Sequence, residues 1–353
     1  MKFSETVIRN KEQNITWINN LRLLSMLAVV VLHTASPLLF QYKTVPLNNW
    51  IVGDAYNALV RFAVPVFVMI TGALLLHREY ELGDFLKKRI GRLILPFFFW
   101  SLVYVSYKYY NQEFAFGDNT WTNIKFVLHQ LQTGSYYHLW YVYLLMGLYL
   151  MIPIISKFVQ HATEREILFF LAIWFLTLLL GVPYLSKFNT AVDLHNFTGY
   201  IGYLVLGHYL AYKQFNFSKI QIVSILVFIS LVVLIAYGTY YMQVEKHELS
   251  TLFYEPVGPF IAIFSASALL IAKHTRVTLS PVIKRIMDNA GKYTLGIYLS
   301  HALILSIFDL LEINYTLFTP LFSIPAIALC CFLLSWLLVY LLSKIPVVKN
   351  VIG

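Results

Sequence analysis

Long apolar runs separated by short polar segments fill the chain from Trp17 to Ser343. Runs able to cross about 30 Å of hydrocarbon begin near Trp17, Tyr56, Ile90, Tyr137, Glu166, Phe197, Lys219, Pro256, Tyr293 and Leu317. The pattern predicts an all-α, polytopic integral membrane protein of about ten transmembrane helices. No Pro- or Ser-rich linker and no repeat of fixed period interrupts it, so residues 1–353 read as a single membrane domain without an appended soluble domain.

Basic residues orient these spans. With both termini cytoplasmic, the inner segments hold Lys2, Arg9 and Lys11; Arg78, Lys87, Lys88, Arg89 and Arg92; Lys157 and Arg165; Lys213 and Lys219; Lys273, Arg276, Lys284, Arg285 and Lys292; and Lys344 and Lys349. The outer segments keep Lys43, Lys108, Lys125, Lys187 and Lys246, with Arg61 just inside a span near the outer face. That asymmetry is the positive-inside pattern. The net charge of +9 is therefore a topology signal and implies no nucleic-acid partner.

Composition agrees with the pattern. The chain is 59% hydrophobic and 12% charged, with a mean hydropathy of +0.68, whereas soluble domains carry about 25% charged residues. Cys330 and Cys331 are adjacent in a late apolar run and offer neither a disulfide framework nor metal-ligand spacing. The polar segment Met1 to Trp17 lacks the small-residue cleavage pattern of a signal peptide, so the first span is expected to persist in the mature protein.

Ionisable groups inside apolar runs carry the functional signal, because charge is costly in hydrocarbon. Arg22 and His33 are eleven residues apart in the first run. At about 100° per residue they return to within about 20° of one direction, about 16 Å apart along the axis. One helix face thus carries a cation near one surface and an imidazole deep inside. Arg89 and Arg92 share a face at the start of the third run, beside Lys88, and can grip a multivalent anion such as a nucleotide phosphate. Plain positive-inside anchoring is the alternative.

Three further polar sites stand in apolar surroundings. Arg61 heads a run in which Pro65 and Gly72 can loosen or closely pack a helix. His138 and Trp140 open the fourth span, where an imidazole among aromatic rings forms either a carbohydrate platform or a passive anchor. His301 falls near the middle of the ninth span, as a site residue or as a buried ring bonded to a neighbouring helix. Glu255, Asp309 and Glu312 lie toward the outside, to orient a sugar hydroxyl or to solvate a helix end.

Arg22-x10-His33 followed by Arg89-x-x-Arg92 resembles the paired signature of the membrane acyltransferase-3 family, which acylates cell-envelope glycans and other extracytoplasmic acceptors. Trp17-Ile-Asn-Asn-Leu-Arg22, Val64-Pro-Val-Phe-Val-Met-Ile-Thr-Gly72, Tyr137-His-Leu-Trp140 and Leu295-Gly-Ile-Tyr-Leu-Ser-His301 are similar to segments of the branch that O-acetylates enterobacterial common antigen. The resemblance implies an inner- or plasma-membrane enzyme that takes an acetyl or other short acyl group from cytoplasmic acyl-CoA. The acceptor is a hydroxyl of an envelope glycan or glycolipid on the outer side. Acetyl-CoA enters as co-substrate, and no tightly bound cofactor and no metal are expected. His33 is then the candidate base, since imidazole titrates near neutral pH, with a covalent acyl-imidazole as the other chemistry. Arg22 would attract the donor or steady neighbouring helices; Lys88, Arg89 and Arg92 would hold CoA; Arg61, His138, Trp140 and His301 would form the acceptor site. Family members carrying a soluble hydrolase-like domain use it for the final transfer, so here the membrane domain is expected to perform the whole reaction.

A secondary transporter or polysaccharide exporter also fits about ten spans with a few buried charges. Two matched broken helices, the usual mark of such a transporter, are not evident in the sequence. A sensor or scaffold would use the basic loop only to bind anionic lipid.

Overall fold

The computed structural model describes residues 11–117, 119–182, 199–215, 217–247, 250–276 and 279–353. Lys2, Arg9, Lys187 and Phe197, where the sixth expected run begins, lie outside the described residues. The described residues form helices and no strand: α1 (Lys11–Leu39), α2 (Leu47–Val60), α3 (Ala63–Leu75), α4 (Leu82–Tyr110), α5 (Thr120–Thr133), α6 (Trp140–His161), α7 (Glu164–Leu180), α8 (Ile201–Tyr212), α9 (Ile220–Tyr240), α10 (Pro259–His274), α11 (Pro281–Lys292), α12 (Thr294–Leu310) and α13 (Pro320–Leu342). A π-helical turn, Tyr241–Glu245, extends α9.

Local chemistry sets several of these starts. The Glu81 carboxylate accepts from the backbone N–H groups of Gly83 and Asp84 at 3.0 and 2.6 Å, satisfying two orphan donors at the head of α4. Thr163 and Glu166 form a reciprocal capping box on α7. Proline occupies the first turn of α10, α11 and α13, where its missing N–H costs nothing.

Among the described residues, seven helices are long and apolar enough to cross a membrane, or eight if the bent pair α11–α12 is one span. Seven or eight of the expected ten are thus present at that length among the described residues, and the two shorter elements are α7 and α8. With 17 and 12 residues, α7 and α8 rise only about 26 and 18 Å at 1.5 Å per residue. Nine residues of α8 are buried, so over its described length it is a core helix rather than a lipid-facing one. The pair α11–α12 bends by 77° where Tyr293 leaves helical geometry.

The second span also differs from expectation. It runs from Leu47 to Leu75, beginning well before Tyr56, and breaks between α2 and α3 at Arg61 and Phe62. Asn48, Asn49, Asp54 and Asn57 interrupt its hydropathy, and the fold compensates by pairing two of them internally. Asp54 accepts from the Tyr254 hydroxyl, and Asn57 bonds Ser36 and Arg61. Arg61 stands midway in sequence between the two ends of this span, Leu47 and Leu75.

At the centre stands α1, packed against α2, α3, α10, α11, α12 and α13. The tightest approach is between α3 and α8. A Cβ on Gly72 would fall 1.9 Å from the Leu204 carbonyl oxygen, and one on Gly207 would fall 2.1 Å from that of Met69. The two glycines face each other's backbones, and the helices touch main chain to main chain. Tyrosine and tryptophan tie other elements together. Tyr104 donates to the Leu299 carbonyl at 2.7 Å, and Trp50 Nε1 to that of Leu39 at 3.1 Å.

Candidate active site

Two cavities enter the bundle from opposite ends, and α1 and α12 line both. Their N-terminal halves border a cavity of about 480 Å³ that also takes Arg89, Tyr141 and Tyr149 from α4 and α6. Arg22 and Lys292 face the same space, and Tyr298 lies at its inner limit. The C-terminal halves border a second cavity of about 640 Å³, lined by His33, Tyr136, Tyr137, Ser306, Asp309 and Tyr315 among others.

Aromatic rings link the cavities. His33 stacks on His301 with centroids 5.3 Å apart and planes at 30°. His301 lies 5.6 Å from the Tyr298 ring, which borders the first cavity. His138 meets His301 edge-on at 5.0 Å, and Tyr137 stands 4.9 Å from His33. His33, His301 and His138 come from α1, α12 and the turn before α6.

A hydrogen bond orients His301 within this group. His301 Nδ1 lies 2.5 Å from the Tyr298 carbonyl oxygen. A carbonyl can only accept, so Nδ1 carries the proton and Nε2 holds a free lone pair. That Nε2 is buried and has no hydrogen-bond partner among the described residues. The Tyr298 hydroxyl donates to the His138 carbonyl, and the Tyr104 hydroxyl accepts from the Leu303 N–H at 3.1 Å. Buried Cys331 points its thiol at the His301 carbonyl at 3.4 Å, whereas Cys330 is exposed.

A second polar cluster flanks His33. Asn57 Oδ1 accepts from Arg61 Nη2 and from Ser36 Oγ, each at 3.1 Å. The Arg61 guanidinium sits 4.0 Å above the Tyr254 ring, whose hydroxyl bonds buried Asp54. Ser36 is one turn beyond His33 on α1, so this network braces the helix face that carries the imidazole.

A model of the family described as an acyltransferase domain matches residues 15–341. The chain belongs to the acyltransferase-3 family. It is therefore an acyltransferase-family protein with membrane-crossing helices. No curated protein and no solved structure matches it.

In this acyltransferase-3 member the signature residues divide between the two cavities. Arg22 and Arg89 share the first, and His33 lies in the second. Arg92 is exposed and outside the cavity lining, yet with Arg22 and Arg89 it remains within electrostatic reach of Tyr149. Lys88 is exposed and lines neither cavity. His138, expected at an interface, is fully buried against His301. Trp140 is 44% exposed, contacts Tyr141 and Tyr200, and lines neither cavity.

Several polar residues escaped the sequence reading. In sequence Lys292 marks only topology, and Tyr298 is one more aromatic residue of the Leu295–His301 segment. Tyr149, Ser36, Asp54, Asn57 and Tyr254 carried no signal, since each is unremarkable in its own run and acquires polar partners from distant helices.

Proposed function

We propose that this protein is a membrane O-acyltransferase moving an acetyl or other short acyl group from cytoplasmic acyl-CoA to a hydroxyl of an extracytoplasmic glycan or glycolipid. The observation carrying this reading is the ring-to-ring path from Tyr298 through His301 to His33 between two cavities of opposite entry. A transfer between substrates from two compartments needs such convergence. On this reading the end holding Arg22, Arg89 and Lys292 faces the cytoplasm, as do both termini, and the protein resides in the inner or plasma membrane.

CoA phosphates then pair with Arg89 and Lys292, with Arg92 at the mouth and Arg22 deeper along the acyl-pantetheine arm. The acceptor enters the cavity at His33. His33 removes the hydroxyl proton as the oxygen attacks the thioester carbonyl. A C–O bond forms, the C–S bond breaks, and the proton passes to the departing CoA sulfur. Motif similarity favours the branch acting on enterobacterial common antigen as the source of the acceptor.

Purified protein in lipid nanodiscs, given labelled acetyl-CoA and a panel of envelope glycans, tests the reading. Labelled O-acyl product is expected. Glycan movement across vesicles without acyl transfer would identify an exporter.

A further inference from the structure

The two cavities differ in charge. Arg22, Arg89 and Lys292 line the first, and no carboxylate joins them among the described lining residues. The second has the reverse character: Asp309 is a carboxylate, and no Lys or Arg lines the space among the described residues. Lys108 stands 5.6 Å from the Tyr136 ring but does not line the cavity. Arg61 reaches His33 electrostatically, but its guanidinium bonds Asn57 and stacks on Tyr254.

Asp309 is an unusual residue for its place. It lies in the last turn of α12, where the helix dipole opposes negative charge. Its side chain is solvent-exposed, and no ion pair holds it among the described residues. It acts electrostatically on Tyr136 and Tyr137, which line the same cavity. Around it are groups suited to neutral polyols: aromatic faces at Tyr137 and Tyr315, and side-chain amides at Gln41 and Asn314.

We propose that this second cavity selects an acceptor sugar bearing no anionic group, with Asp309 accepting hydrogen bonds from its hydroxyls. The inference rests on the acyl-transfer reading above. A uronic acid or sugar phosphate would enter a partly enclosed space without a cationic partner and face a carboxylate, a like-charge contact that costs binding. A neutral sugar instead offers O–H donors to Asp309, and hydrogen bonds to an ionised acceptor are the stronger kind.

The experiment pairs alkyl glucosides, galactosides, mannosides and N-acetylglucosaminides with their matching uronates, each offered with labelled acetyl-CoA to protein in nanodiscs. Donor binding is measured separately by CoA competition. Wild-type protein is expected to favour the neutral member of its best pair by roughly tenfold or more. Asp309→Asn should narrow that ratio, and Asp309→Glu should retain it. Equal use of both members by wild-type protein, or an unchanged ratio in a folded Asp309→Asn variant, would overturn the proposal. Transfer to no member of any pair despite normal CoA binding would count against acyl transfer itself, and the proposal would fall with it.

Discussion

His33 and His301, 268 positions apart in sequence, stack face to face with ring centroids 5.3 Å apart. The His301 tautomer is set by its bond to the Tyr298 carbonyl, leaving an Nε2 without a partner among the described residues. Proton transfer can therefore draw on two imidazoles. His33→Ala is expected to lower acyl transfer by roughly 10² to 10⁴, with insertion and folding retained. His301→Gln should slow turnover while leaving the apparent KM for acyl-CoA near normal. Single-turnover kinetics on both variants checks this, and wild-type rates in either would remove that ring from the reaction.

Donor recognition should follow cavity position rather than motif membership. Arg89 lines the cavity beside Arg22 and Lys292, whereas Arg92 is exposed and outside the lining. A charge-assisted hydrogen bond is worth about 1.5–3 kcal/mol. Arg89→Ala and Lys292→Ala should each raise the KM for acyl-CoA about tenfold or more, and Arg92→Ala by less. Lys at position 89 should restore only part of the loss, because it lacks the planar fork. Titration of acyl-CoA against each variant gives the order directly.

Tyr137 and Trp140 lie three positions apart but face different surroundings. Tyr137 borders the cavity at 4.9 Å from His33, while Trp140 stands outside it. Tyr137→Ala should weaken acceptor use more than Trp140→Ala does, with donor binding unaffected in both. The reverse order, measured as acceptor KM, would move the acceptor site toward Tyr200.

Gly72 and Gly207 should tolerate no side chain. Alanine at either would press its Cβ into a backbone carbonyl of the facing helix, and overpacking of this kind costs roughly 1–3 kcal/mol or more. Thermal unfolding in detergent should show a lowered midpoint for each variant. Gly91, with open space around its Cβ position, is the matched control and should change little as Gly91→Ala.

Much of the site was readable from spacing. Arg22 and His33 share a face of one helix, and an α-helix fixes the relation of residues eleven apart without help from the rest of the chain. That Arg89 shares a cavity with Arg22 was not readable, because the two stand on different helices. Convergence of His33 with His301 and His138 was not readable, because it depends on how α12 and the turn before α6 pack against α1. Sequence separation carries no distance information across such contacts.

Apolar runs, basic segments and helix periodicity determined the helical class, the membrane-crossing character and the signature residues, since each follows from local chemistry and the cost of charge in hydrocarbon. Tertiary structure alone decided that α8 is buried over its described length. The apolar composition of α8 reads like a lipid-facing helix, but Gly207 against Met69 and Gly72 against Leu204 draw it into the core. It alone also decided that Asp54, Asn57 and Arg61 find partners on other helices, so a polar stretch that breaks the hydropathy pattern belongs to a span. Hydropathy measures what a residue costs in lipid when unpaired, and only the folded bundle supplies the pairs.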